Sequence, residues 1–66
     1  MAGNTRGMLK EEFEGIHTNF SWIQRHCEKS IVLIKEHKPE LSAAIVALHQ
    51  EILELDTLAQ GIYSKL

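Results

Sequence analysis

One cysteine, one proline, one tryptophan and one tyrosine stand among 66 residues, and several of these scarcities narrow the structures open to the chain. A lone Cys27 has no partner within the chain, which excludes the disulfide framework that many small secreted domains depend on. No charged n-region leads into an apolar h-region, so the secretory-signal pattern is absent and a reducing, cytoplasmic setting is expected. Apolar runs are short, far from the roughly 20 residues of a membrane span. A net charge of −2 gives no general attraction to nucleic acid or to an anionic membrane.

What is present fits a folded chain. Hydrophobic residues make up 44% and charged residues 24%, away from the low-hydrophobicity, high-charge composition of disordered segments. A chain this short is one domain, and it seldom buries enough apolar surface alone without disulfides, a metal or oligomerisation. Association is therefore expected to supplement the core.

The apolar residues follow a helical period. In the second half Leu41, Ile45, Leu48, Ile52, Leu55, Ala59, Ile62 and Leu66 are separated by alternating gaps of four and three, which keeps one stripe on one side of a helix. The first half repeats the pattern with Leu9, Phe13, Ile16, Phe20, Ile23, Cys27, Ser30 and Ile34, while Lys10, Glu11, Glu12 and Glu14 take other faces. The spacing predicts helices over about 5–36 and about 39–65, with a turn at about 37–39. Residues 1–7 lack periodicity and read as a frayed end, with Asn4 or Thr5 as helix N-cap. Gly15 to Ser21 is the weak section of the first helix, and Ser21 three before Gln24 spells a capping box, so a break or kink there is the alternative to one continuous helix.

Proline disrupts a helix interior but suits its first position, so Pro39 reverses the chain and Glu40 complements the new helix dipole. A connection this short favours antiparallel neighbours. The two stripes then run level, Ile34 beside Leu41, Ile23 beside Ile52 and Leu9 beside Leu66, with their phase matched across the turn. Beside the stripes this register sets Glu12 near Lys65, His26 near Glu51, His17 near Asp56 and Gln24 near His49, without a like-charge clash.

Apolar residues remain beyond the stripes: Ile31, Val32 and Leu33 near the turn, Ala44, Val46, Leu53, Leu58 and Tyr63 on the second helix, and Trp22 on the first. Around Ile31 to Ile34 the first helix is apolar on every side, which implies cover from another chain. The expected fold class is all-α, an antiparallel helical hairpin dimerising into a four-helix bundle, since two-fold homodimers are the commonest oligomers, and the apolar residues of the two stripes are expected to carry that association. A different protein as partner is the alternative, and Trp22, Val46 and Leu53 are the residues expected to meet one.

Chemistry is sparse. His17, His26, His37 and His49 with Cys27 supply zinc-ligand atoms, but no two histidines stand three or four apart, so no metal or cofactor site is expected. A cysteine within a tightly packed stripe behaves as a small apolar residue, and no catalytic group is assigned. The rival reading is nucleic-acid binding through Arg25 and Lys29, one turn apart and with Trp22 on the side of Lys29, although Glu28 and Glu36 interrupt the strip. In size and expected topology the chain resembles the Rop-type plasmid RNA-binding proteins, helical hairpins that dimerise into four-helix bundles; no Rop motif accompanies that resemblance. Ser64, Lys65 and Leu66 also match a peroxisomal address, while Leu66 completes the heptad opposite Leu9. The sequence thus points to a small non-enzymatic interaction protein, an adaptor, inhibitor or assembly factor, with a Rop-like nucleic-acid binder as the alternative.

Overall fold

A computed structural model describes residues 2–66, with side chains from Asn4 onward; Met1 of the expected frayed end lies outside them. The first helix, α1, spans Ala2–Ile34 and the second, α2, spans Ser42–Tyr63, with a 3₁₀ turn at Pro39–Leu41 between them. The helices pack against each other along their length in an elongated hairpin, 54 × 15 × 11 Å in extent. The described residues contain no strand, and none of their helices is long and apolar enough to cross a membrane.

The connection follows from Pro39. The residue before a proline is pushed out of the helical region, and Lys38 has φ −138° and ψ 76°. Ahead of it, the amides of His37 and Lys38 both donate to the Ile34 carbonyl, at 3.1 and 2.8 Å, which ends α1 two residues before the expected Glu36. Pro39 opens the 3₁₀ turn, and the Ser42 amide bonds back to its carbonyl as α2 begins.

Two local expectations are corrected. Residues 2–7 are helical rather than frayed, so Asn4 and Thr5 lie inside α1 and are not its N-cap. Once a helix is nucleated each further residue adds a hydrogen bond, and a glycine such as Gly7 costs only about 1 kcal/mol. The helix also runs unbroken through Gly15 to Ser21. Thr18 and Ser21 donate their hydroxyls to the carbonyls of Glu14 and His17 one turn back, at 3.0 and 3.1 Å, so Ser21 does not cap a new helix.

The decisive feature is how the heptad stripe is divided. We letter Phe13, Phe20, Cys27 and Ile34, with Ile45, Ile52, Ala59 and Leu66, as a positions; the other stripe residues are then d. Every a residue is buried or half-buried, whereas every d residue is exposed. The e residues accompany the a residues: Lys10, Gln24 and Ile31 on α1, and Ser42, His49, Asp56 and Tyr63 on α2, are half-buried. Two helices in contact cover one narrow stripe each, and here both have rolled towards e. Among the described residues only Cys27 is buried, at 5% exposure, so the hairpin by itself encloses almost no core.

Candidate interaction surface

Rolling the helices together along a and e turns their d and g positions outward on the other side. Leu9, Ile16 and Ile23 of α1, Leu41 at the turn, and Leu48, Leu55 and Ile62 of α2 form one apolar face, each 37% to 53% exposed and interrupted on α1 by Ser30. Leu33 and Leu58, at g positions, extend it at 63% exposure each. Helical spacing makes this face run the length of the molecule, because d recurs every seven residues on both helices. The chain's accessible surface is 5208 Å². A compact monomer of 7.5 kDa would expose about 4,200 Å². The excess, about 1,000 Å², is comparable to the ~800 Å² that each partner buries in a typical stable interface.

The stripe residues expected to carry association are therefore split between two tasks. Phe13, Phe20, Cys27, Ile34, Ile45, Ile52 and Ala59 hold the helices to each other, while Leu9, Ile16, Ile23, Leu41, Leu48, Leu55 and Ile62 face outward. Sequence periodicity does not separate these sets, because both obey the same four-three spacing.

Polar contacts gather on the e edge. His17 Nδ1 lies 2.9 and 3.0 Å from the two carboxylate oxygens of Asp56, the pairing expected from the level register. Tyr63 donates its hydroxyl to Glu14 at 2.7 Å, and the Lys10 ammonium lies 5.9 Å from the centre of the Tyr63 ring. Donation to the Glu14 carboxylate holds the Tyr63 hydroxyl above its ordinary pKa of 10.0, with partial burial and the Glu14 charge adding to the effect. His49 Nε2 lies 3.6 Å from a Glu28 carboxylate oxygen, within ion-pair range but too long for a hydrogen bond.

The g edge is the opposite case. Among the described residues the side chains of Glu12, His26, Glu51 and Lys65 make no ion pair, so the expected pairs Glu12 with Lys65 and His26 with Glu51 are not formed within the hairpin. The roll towards e separates them.

No protein-family model, curated protein or solved structure matches this chain. Its surfaces therefore have to be read from their own chemistry. An open cleft of about 270 Å³ on the e edge is lined by Phe13, Glu14, His17, Thr18, Gln60 and Tyr63. A histidine oriented by a carboxylate is half of a nucleophile-activating arrangement. The nearby hydroxyls are already committed, Thr18 and Ser21 to helix carbonyls and Tyr63 to Glu14. Among the described residues no three His, Cys, Asp or Glu side chains converge as metal ligands.

Of the remaining expected contact residues, Trp22 is 55% exposed on the outer side of α1, beside Thr18, Ser21 and Arg25. Val46 is exposed and Leu53 half-buried, both at the b position of α2, next to its e edge. The c position of Trp22 flanks the g edge instead, so the heptad places these three residues on two sides of the hairpin. The Arg25 guanidinium stacks over the Trp22 ring, 5.1 Å from its centre, which couples half of the basic strip to an aromatic surface. Lys29 is exposed one turn further on. At the end of α2 Leu66 is half-buried, and its amide donates to the Tyr63 carbonyl.

Proposed function

We propose that this chain is a non-enzymatic protein–protein interaction module, an adaptor, inhibitor or assembly factor, that works as a self-associating helical bundle. One observation carries the proposal: a hairpin with a single buried residue among those described presents an apolar face along both helices, built from every hydrophobic d residue. Water is a poor environment for such a face. At about 25 cal/mol per Å² of apolar surface, covering the exposed half of each leucine or isoleucine contributes roughly 1 kcal/mol. Association in two-fold symmetry covers the face with its own copy and produces the four-helix bundle.

Catalysis has less support. A catalytic site needs a nucleophile or ligand set with free atoms, and the hydroxyls beside His17 are engaged within their own helix or with Glu14. Nucleic-acid binding through Arg25 and Lys29 is the second reading, favoured by the Arg25 and Trp22 stack. It is the weaker of the two because Glu28 lies between the cations and the whole chain carries −2.

Sedimentation of the chain beside a Leu48→Gln, Leu55→Gln variant tests the proposal. The variant should dissociate at least tenfold more readily while the parent remains a dimer at micromolar concentration. Equal masses for the two at every concentration would overturn the assignment of this face.

A further inference from the structure

We infer that the apolar face is covered by a second copy packed with both turns at the same end, α1 of each hairpin lying against α2 of the other. The inference rests on the self-association proposed above and adds its arrangement, which the unpaired charges of the g edge decide. In a four-helix bundle the e edges meet inside each hairpin, as His17 and Asp56 do, so the g edges must meet between hairpins.

A two-fold axis along the bundle leaves every residue at its own level. The register between copies is then the one already present within the hairpin. Glu12 of one copy faces Lys65 of the other, His26 faces Glu51, Leu33 faces Ala44, and Asn19 faces Leu58. Glu12 and Lys65, left without ion pairs in the hairpin, thereby find opposite charges, Glu51 meets an imidazole and not a second carboxylate, and an exposed leucine finds a small apolar neighbour.

The alternative has the turns at opposite ends, with α1 against α1 and α2 against α2. Full overlap then sets Glu12 against Leu33, Glu51 against Leu58 and Lys65 against Ala44, which places charge on apolar surface three times. Sliding the copies apart matches the charges again, Glu51 with Lys65 and Glu12 with His26. That slide carries Leu41, Ala44 and Leu48 past the end of the facing helix. The same-end arrangement pairs Glu12 with Lys65 and leaves no d residue overhanging, with Asn19 against Leu58 as its one polar-on-apolar level, against three charged ones in the overlapped alternative. Pairs of this exposed kind contribute little to stability; they select one arrangement over another.

Spin labels near the turn decide the matter. The full chain carrying Cys27→Ala and Lys38→Cys, labelled with a nitroxide, is examined by double electron–electron resonance in frozen solution. Same-end packing predicts a separation on the order of 20 Å, since neighbouring helix axes lie about 10 Å apart. A separation approaching the 54 Å length of the hairpin would overturn the arrangement while leaving self-association standing. Absence of any interchain dipolar signal, with a monomeric mass, would overturn both.

A second measurement needs no substitution. In a mixture of isotope-labelled and unlabelled chains, filtered NOEs should connect Leu33 methyls of one copy to the Ala44 methyl of the other. Contacts from Leu33 to the Glu12 side chain across copies would instead support packing with the turns apart.

Discussion

His17 and Asp56, 39 positions apart in the chain, meet at 2.9 Å and fix the level at which the two helices lie. Their contact is more informative about register than about stability, because the His17 side chain is half exposed and solvent screens the pair. A double-mutant cycle with His17→Ala and Asp56→Ala should return a coupling of less than about 1 kcal/mol in urea unfolding. A coupling of several kcal/mol would mean that the e edge is covered by another chain.

The register was legible in the sequence because two matched heptads and a proline-forced turn leave few ways to align the helices. The division of the stripe was not. Periodicity marks a and d equally, and the residues that accompany a into the contact include Lys10, Gln24, His49 and Asp56, polar side chains that composition assigns to solvent. Lys10 and Gln24 are half-buried because long polar side chains can lay their stems along an apolar contact while their heads stay near its edge, and the short Asp56 is covered by its contact with His17. The helicity of residues 2–7 was hidden for a different reason: glycine lowers local propensity, but extension of an established helix overrides it.

Tyr63 offers a spectroscopic reading of the same edge. It is the single tyrosine, so phenolate absorbance reports it alone, and its midpoint should lie above 10.0 and fall towards that value in Glu14→Gln. The sign for stability follows. A raised pKa means that the folded chain holds the phenol proton more tightly than the unfolded chain does. The contribution is complete below pH 10 and is lost as pH rises through the folded midpoint. A Tyr63 midpoint at its ordinary value in the parent chain would show that the Glu14 hydrogen bond does not persist in solution.

Gly15 and Gly61 sit inside helices, with nothing within 4 Å of the place where a Cβ would stand and no positive φ. Alanine at either should stabilise the fold by about 0.5–1 kcal/mol, through a stiffer unfolded chain and better helix propensity. Thermal unfolding at one fixed chain concentration measures it. A loss of stability at Gly61 would show that its open side is occupied by a neighbouring copy.

Substitutions at a and d should part company. Ile52→Asp puts a charge into the contact between the helices, costs several kcal/mol and should abolish helicity. Ile16→Gln lies on the outward face and should weaken association about tenfold, with recovery of full helicity at high concentration. Circular dichroism across a concentration series distinguishes them, and identical behaviour of the two variants would contradict the division of the stripe.

Protein and nucleic-acid partners separate by salt. Binding of a phosphate backbone through Arg25 and Lys29 should weaken steeply with added salt and on Arg25→Ala with Lys29→Ala. A hydrophobic protein partner should tolerate salt and be lost on Trp22→Ala. Titration with single-stranded RNA at two salt concentrations is expected to give no saturable binding at the higher one.

The most direct test of the central claim, that the outward face is completed by a second copy, is the solution mass of the unmodified chain. Light scattering during gel filtration, with circular dichroism on the same fractions through a dilution series, should give a helical dimer of about twice 7.5 kDa that loses mass and helicity together. A fully helical monomer whose helicity is independent of concentration would contradict it.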